Sequence, residues 1–477
     1  MLKKKLHIYI AAAVILSAVN IHAQKTLNLQ ECRELAIGNN KALKIATQQE
    51  RKAYYQKREA LMQYFPKFAA SATYLHFGDD LHLIGRRQIP QTISIPDLGL
   101  PLPLPPQIPI PQEIQDGIYK AGEIDMSNFW VMGASLTQPI FAGGRIIALN
   151  DIRSYAQELA AAMKETKMTD VIVETDEAYW QVISLNHKKK LAEAYVNLLT
   201  QMDSDTQSMM DEGVATKADR LSVSVKLNEA QITLTKAENG LSLAKMLLCQ
   251  TIGLDISEDI RLYDEDLDKL ELIDSDDQLP DIDSAIANRS EIRSLALAQD
   301  IYKKQEKLAV AEFLPTAGLS LGYTWMQPNL EDGLQNKFAG MWNVGVNVKL
   351  PLNFISSSAK LKAAKAETYM REYELEDTKE KIKLQINQSF YKLTEARKKL
   401  VSTQKNTETA DENLRYANAG YQEGVIAASD AMAAHTAWIA AHAEMIDAQI
   451  DLKLCQLYLD KALGKSINTR TESPREL

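Results

Sequence analysis

Trp342-Asn343-Val344-Gly345-Val346-Asn347-Val348-Lys349-Leu350 alternates without a break. Trp342, Val344, Val346, Val348 and Leu350 fall on one side, and Asn343, Gly345, Asn347 and Lys349 on the other. A period of two with one apolar and one polar face marks a strand whose sides meet different surroundings. Residues 316–325 repeat the pattern, with Leu319, Leu321, Tyr323 and Trp325 against Ser320, Gly322 and Thr324. In residues 130–137, Trp130, Met132, Ala134 and Leu136 oppose Val131, Gly133, Ser135 and Thr137. Residues 68–77 carry the weakest version, with Ala70, Ala72 and Tyr74 expected on the outer face. About ten residues is the length that spans a bilayer when tilted. Aromatics near strand ends (Tyr74, Trp130, Trp325, Trp342) suit an interfacial girdle. The small polar residues Ser135, Thr137, Ser320, Thr324, Asn343 and Asn347 are expected to face a wet lumen. The alternative for such strands is a small soluble sandwich closed on its own apolar face.

Four strands cannot close a barrel, and open edges in lipid leave backbone groups unpaired at several kcal/mol each. Several chains must therefore share one barrel. Two chains supply eight strands, whose interior side chains can fill. A conducting pore needs three or four, and the residues do not choose between them.

The chain is also written twice. Ala36-Ile37-Gly38-Asn39-Asn40 recurs as Ala285-Ile286-Ala287-Asn288-Arg289, and Tyr64-Phe65-Pro66 as Phe313-Leu314-Pro315, at an offset of 249. Pro139 matches Pro351 at 212, and Gly213, Asp219 and Gly253 match Gly424, Asp430 and Gly464 at 211. The fall from 249 to 212 leaves about 37 extra, Pro-rich residues between the prolines of the first copy. Two copies of one strand-and-helix unit predict internal pseudo-symmetry and an assembled object, more than a catalytic pocket.

Each hairpin is followed by a proline-free helical stretch, residues 144–208 and 356–419. At about 64 residues each, these helices reach about 95 Å. The return path is split, into residues 219–252 with 281–311 and residues 29–62 with 430–463, so the rods match in length. A heptad seam runs through Val223, Leu227, Ala230, Leu234, Ala237, Leu241, Ala244 and Leu248. The same register gives Ala434, Trp438, Ala441, Met445, Ala448, Leu452, Cys455 and Leu459. Sustained heptads mean knobs-into-holes contact. Cys455 occupies a small-residue position in that seam, and all three cysteines are expected to be free buried thiols.

The predicted fold class is mostly α with a membrane β-barrel part, internally duplicated. Residues 1–23 carry Lys3, Lys4 and Lys5, a short apolar run and a small residue before Gln24, the pattern of a secretory signal peptide. Without those lysines the formal charge of −9 becomes about −12, which argues against a nucleic-acid partner. Residues 24–253 form the first repeat, with a hairpin at 66–139, an outer loop at 89–112, a long helix at 144–208 and a return helix at 219–252. An acidic equatorial segment, 254–283, is expected to be a solvated belt, with calcium binding as the sharper alternative. Residues 284–464 form the second repeat, with a hairpin at 315–351, a long helix at 356–419 and a return helix at 430–463. Residues 465–477 are a tail.

Pro66, Pro139, Pro315 and Pro351 are expected at strand–helix junctions, where the backbone changes direction. Eight prolines within residues 89–112 predict extended, polyproline-like chain. At the far ends of the rods, Met209-Met210-Asp211-Glu212-Gly213-Val214 and Gly420-Tyr421-Gln422-Glu423-Gly424-Val425 read as turns whose glycines allow tight backbone. Asp219 and Asp430 follow near helix starts, where the dipole favours a carboxylate and capping is their bland role. Met209, Met210, Val214, Tyr421, Val425 and Ile426 would form an apolar docking patch at these tips.

The duplicated plan resembles the TolC-type outer membrane factors of Gram-negative bacteria. The residues that carry the resemblance are Gln138-Pro139-Ile140-Phe141-Ala142-Gly143-Gly144, the turns Gly213 to Asp219 and Gly424 to Asp430, and Tyr421. It implies a homotrimer, with a twelve-stranded barrel in the outer membrane lipid continued by a periplasmic helical tunnel. It implies that the turns (Met209, Met210, Gly213, Val214, Tyr421, Gly424, Val425) meet a periplasmic adaptor joined to an inner-membrane pump. Asp430 matches an acidic aperture position of the family, and Asp219 is its counterpart in the first copy. Ala433 stands where a second acid is common, and Ile426-Ala427 where an arginine often follows the glycine. The function implied is a passive duct exporting small molecules or peptides.

An enzyme is not expected: the sequence has no phosphate loop, metal-ligand spacing or nucleophile elbow, and no catalytic residue, cofactor or metal is assigned. His435 and His442, seven apart, are expected in polar or packing roles. A coiled-coil surface fibre or adhesin is the alternative reading, and bilayer-length alternating strands weigh against it.

Overall fold

The computed structural model describes residues 25–94, 107–266, 281–329 and 336–465. The expected signal peptide, the centre of the Pro-rich loop, most of the acidic segment and all but the first residue of the tail lie outside the described residues. In chain order the first half contains β1 (Lys25–Leu27), α1 (Leu29–Asn39), α2 (Lys41–Met62), β2 (Lys67–Leu75), β3 (Leu81–His82), β4 (Thr92–Ser94), β5 (Gln107–Pro109), α3 (Gln112–Ala121), β6 (Glu123–Ile124), β7 (Phe129–Ala142), α4 (Arg145–Asp211), α5 (Lys217–Ile252) and β8 (Ile260–Leu262). The second half contains α6 (Ile282–Asn288), α7 (Ser290–Ala311), β9 (Thr316–Gln327), β10 (Ala339–Lys349), α8 (Phe354–Gln422) and α9 (Ala428–Ala462). Two compact units cut across the repeats: one holds residues 54–155 and 300–369, the other the remaining described residues.

The first unit is built on one antiparallel sheet in the order β10-β9-β7-β2. Both strands of each repeat lie side by side, and β7 against β9 joins the two hairpins. Pro66 and Pro315 immediately precede β2 and β9, and Pro351 follows β10 by two residues. Pro139 departs from its expected place at a strand end. The strand runs on through it to Ala142, and the ladder shifts register between Pro139 and Phe141. A residue without an N–H is tolerated at such an irregularity. The centre of the expected polyproline-like stretch, residues 95–106, lies outside the described residues, and its flanks are extended. Thr92–Ser94 pairs with Gln107–Pro109, Leu81–His82 pairs with Glu123–Ile124, and α3 lies between β5 and β6. His82 stacks on Tyr119 of α3 at 4.0 Å, and Arg86 sits over the same ring.

The second unit has two cores in the same register. Ala36, Val171, Val182, Leu248 and Ile252 are buried together, and so are their counterparts Ala285, Ile382, Leu393, Leu459 and Leu463. Every position of both heptad seams is buried or half-buried. The first core is larger because β1 and β8 pair in parallel across it and add Leu27, Ile260 and Leu262. Arg33 closes its side, donating from Nε and Nη2 to the buried Asp176 at 2.7 and 2.5 Å. None of the three cysteines is in a disulfide: Cys32 and Cys249 are buried, and Cys455 is half-buried against the second core.

Residues 29–62 and 281–311 depart from the expected continuous helices. Each is broken, at Asn40 and at Arg289. The breaks are a repeated joint. Gly253, with φ of +76°, ends α5 so close to Asn39 that an added Cβ would lie 2.9 Å from that residue's carbonyl carbon. Gly464, with φ of +63°, meets Asn288 in the same way at 3.1 Å. Asn40 then donates from Nδ2 to the Thr251 carbonyl at 2.8 Å, and Arg289 donates from Nη1 to the Lys461 and Ala462 carbonyls at 2.9 and 3.1 Å. One side chain after each break thus serves the last carbonyls of the returning helix.

In the described part of the acidic segment Asp255, Asp259, Asp281 and Asp283 are exposed, while Asp264 and Glu265 are tied to the helices. Tyr179 donates its hydroxyl to Asp264 at 2.6 Å. Glu265 is buried, pairs with Lys245 at 3.2 Å and accepts the Leu262 N–H. Burial would make these carboxylates costly, and each is offset by a donor brought from a helix.

Gly253 and Gly213 both have positive φ, but only Gly253 is crowded by backbone, whereas nothing lies within 4 Å of a Cβ at Gly213. Gly213→Ala is expected to cost about 1 kcal/mol. Gly253→Ala is expected to cost clearly more, about 2–4 kcal/mol, since the Asn39 backbone must move. Denaturant titration of the helical circular dichroism signal ranks the two, and equal costs would contradict the joint.

Candidate functional site

Two places could carry function: the faces of the sheet in one unit, and the helix-end turns in the other. On the sheet, register puts the alternating residues of all four strands in common rows. Phe68, Leu136, Leu321 and Val344 form one apolar row; Ala70, Ala134, Tyr323 and Trp342 form the next. Tyr74 and Trp130 pair with ring centroids 4.7 Å apart, and Tyr323 and Trp325 at 4.3 Å. This face is uncovered in the chain, with Phe68 80% and Trp342 70% exposed. The opposite face carries Ser135, Gly322 and Asn343 in one row, Thr137, Ser320 and Gly345 in another, and Thr324 and Asn347 in rows on either side. All six expected lumen residues therefore share one face. β2 and β10 are the sheet's edges, each with one side unpaired among the described residues.

The two turns have the same backbone. Gly213 N–H donates to Met210 O, and the Val214 and Ala215 N–H groups to Met209 O; Gly424, Val425 and Ile426 repeat this onto Tyr421 and Gly420. Gly213 and Gly424 have φ of +79° and +73°, the left-handed conformation that closes a helix end. Val214 and Val425 stand at the crests, 74% and 78% exposed. The expected apolar patch is narrower than the sequence suggested. Met209, Met210, Tyr421 and Ile426 are half-buried. Tyr421 packs on a cluster of Leu199, Met202, Val223, Ala431 and Met432, and its hydroxyl meets Thr206 Oγ1 at 3.0 Å. It therefore ties the second turn to α4 of the first repeat.

Asp219 and Asp430 occupy equivalent places in different surroundings. Thr216 caps α5, and Asp219 Oδ2 accepts its N–H at 2.9 Å and its hydroxyl at 2.6 Å. Those bonds hold the Asp219 carboxyl below the usual carboxylate range. Ala427 replaces Thr216 in the second copy and offers no side-chain cap. Asp430 is exposed, with no hydrogen bond to its carboxylate among the described residues. His435 is buried, with Nε2 2.7 Å from Asn418 Oδ1, and burial lowers its pKa to about 4. His442 Nε2 and Trp438 Nε1 both approach Asp411 Oδ1, at 2.9 and 2.6 Å. The two histidines have separate partners, and no metal-binding group of three occurs among the described residues.

An exposed apolar stripe on α5 escaped the sequence reading: Leu221, Val225, Ile232, Leu243 and Met246. Its spacing runs beside the heptad seam on the same helix and could have been found as a second apolar line. No described helix is long and apolar enough to cross a membrane, which says nothing about strands.

A duplicated chain that joins a two-faced, four-stranded sheet to paired long helices has the fold of solved outer membrane channels. The Campylobacter jejuni CmeC outer membrane channel shares it at a TM-score of 0.74 and 16% identity, over 91% of this chain and 85% of that one. The outer-membrane channel OprN matches at 0.70 and 17% identity, over 92% and 90%. The open state of the Neisseria gonorrhoeae MtrE outer membrane channel matches at 0.68 and 17% identity, over 92% and 89%. No curated protein sequence matches the chain. The family model described as "Outer membrane efflux protein" matches twice, over residues 113–254 and 282–465. The chain belongs to that family, whose members are channel proteins and not enzymes.

Because the folded chain keeps His435 neutral down to about pH 4, the unfolded chain binds the extra proton first on acidification. Stability contributed near α9 is expected to be full above about pH 6.5 and to fall by about 3 kcal/mol as pH drops to 4. His435→Gln should flatten that slope in urea titrations at several pH values. Tyr421→Phe should cost about 1 kcal/mol and speed amide exchange around Gly424.

Proposed function

We propose that this chain forms a homotrimeric outer membrane duct that exports solutes passively, engaged at its helix-end turns by a periplasmic adaptor and an inner-membrane pump. The observation that carries this reading is the sheet: one exposed apolar face, one exposed polar face and two unpaired edges. Lipid against the first face, water against the second and neighbouring copies at β2 and β10 satisfy all three at once. Three copies give twelve strands, enough for a wet interior lined by Ser135, Thr137, Ser320, Thr324, Asn343 and Asn347.

The helices support the same assembly by pseudo-symmetry. Trp180 is buried at 6% exposure against the return helix of the second repeat, while its counterpart Tyr391 is 68% exposed. Likewise Met432 and Leu457 are buried, while their counterparts Leu221 and Met246 are exposed. Half of a repeated interface is made within the chain, and the other half is left for a second copy. Val214 and Val425 are the apolar crests offered to an adaptor, with Met209, Met210, Gly213, Tyr421 and Gly424 shaping the turns behind them. Asp430, uncapped and exposed, is the stronger candidate for an acidic aperture, and Asp219 serves first as a cap.

The mature chain in detergent is expected to migrate as a heat-sensitive trimer and to open conducting channels in planar bilayers. Gly345 has room for a side chain, its Cβ position lying 3.6 Å from Ser320 Oγ. Gly345→Tyr should therefore fold and lower single-channel conductance. A photo-crosslinker at Val214 or Val425 should capture the adaptor in cells, and one at the half-buried Met210 should do so less. A natively folded monomer soluble without detergent would overturn the duct.

A further inference from the structure

Lys67 and Lys349 are the only charged residues in the four long strands. Register places both on the polar face: Lys67 lies in the row of Thr137, Ser320 and Gly345, and Lys349 in the row of Thr316 and Ala142. Lys67 is the first residue of β2 and Lys349 the last of β10, so both sit at the sheet end adjoining α2 and α8. Both are exposed, and neither has an ion pair or hydrogen bond among the described residues. Near the helix starts of this unit, by contrast, Lys304 meets Asp151 at 2.7 Å and Lys360 meets Glu312 at 2.9 Å. In a chain of net charge −9, the charge carried by these four strands is thus wholly positive.

We propose that Lys67 and Lys349 form a positive collar in the lumen that concentrates anionic solutes, those bearing carboxylate, phosphate or sulfonate groups. This rests on the duct reading. The two edge strands β2 and β10 are those that neighbouring copies would bring together. Each of three seams then carries both lysines, and six ammonium groups ring one end of the barrel. A charged ring in a channel with low-dielectric walls focuses the field and raises the local concentration of the opposite ion. Spacings within about a Debye length, roughly 8 Å at physiological salt, let neighbouring charges act together. Lysine at a sheet edge can also serve only to block unwanted strand pairing. That structural role predicts no effect on ion selectivity, so selectivity separates the two.

The test is the reversal potential of full-length trimer in planar bilayers under a tenfold KCl gradient. Relative to the unaltered protein, K67Q/K349Q should lower the chloride-to-potassium permeability ratio by at least about threefold. K67E/K349E should lower it further, while K67R/K349R should leave it in place and show that charge is what acts. Liposome flux of a carboxylate dye should fall against a size-matched ammonium dye in the same order. An unchanged permeability ratio in conducting Gln and Glu variants would overturn the collar and leave the duct standing. No conductance in the unaltered trimer would overturn the duct itself, and the collar with it.

Discussion

The backbone hydrogen bonds that β2 and β10 leave open are the constraint on which the rest depends. In water such edges are a liability; in hydrocarbon each unpaired group costs several kcal/mol. The sheet compounds the demand, because Phe68, Trp342 and Val344 on its apolar face are exposed among the described residues. A soluble protein would fold a helix onto that face. This chain instead keeps it uncovered, which is physically sensible only where lipid and further copies complete the structure.

Duplication meets that demand with few devices. The same joint, a left-handed glycine pressed on an asparagine, ends the return helix in both halves at Gly253 and Gly464. The same turn closes the opposite end at Gly213 and Gly424. The copies diverge in capping and in burial. Ala427 stands where the first copy has Thr216, and Asp430 is left outside a capping box. Tyr391 stands exposed where Trp180 is buried. Equivalent positions with unequal burial are what a pseudo-symmetric interface requires when half of it is completed by another molecule.

Much of this was legible in residues 342–350 and their three relatives, because a period of two has no other common explanation once both faces are chemically distinct. The heptad seams were legible for the same kind of reason. The breaks at Asn40 and Arg289 were not, since neither residue excludes a helix by itself. What breaks them is the return helix arriving end-on, with carbonyls that need donors. The tip patch was overdrawn because apolar residues in a turn cannot be sorted into crest and flank without the partner helix. Tyr421 reads as an exposed aromatic until its hydroxyl is seen on Thr206, more than two hundred residues away in sequence.

By itself, then, the sequence determined the periodicities: strands with two unlike faces, rods with one buried seam, and two copies of each. These follow from local geometry, since side-chain direction repeats every two residues in a strand and about every 3.6 in a helix. Only the tertiary structure decided which equivalent residues became different. Whether Asp219 and Asp430 cap or stand free, and whether Trp180 and Tyr391 are covered, depends on neighbours brought from distant parts of the chain. Burial and hydrogen bonding are properties of a place in three dimensions, and no pattern along one strand or helix encodes them.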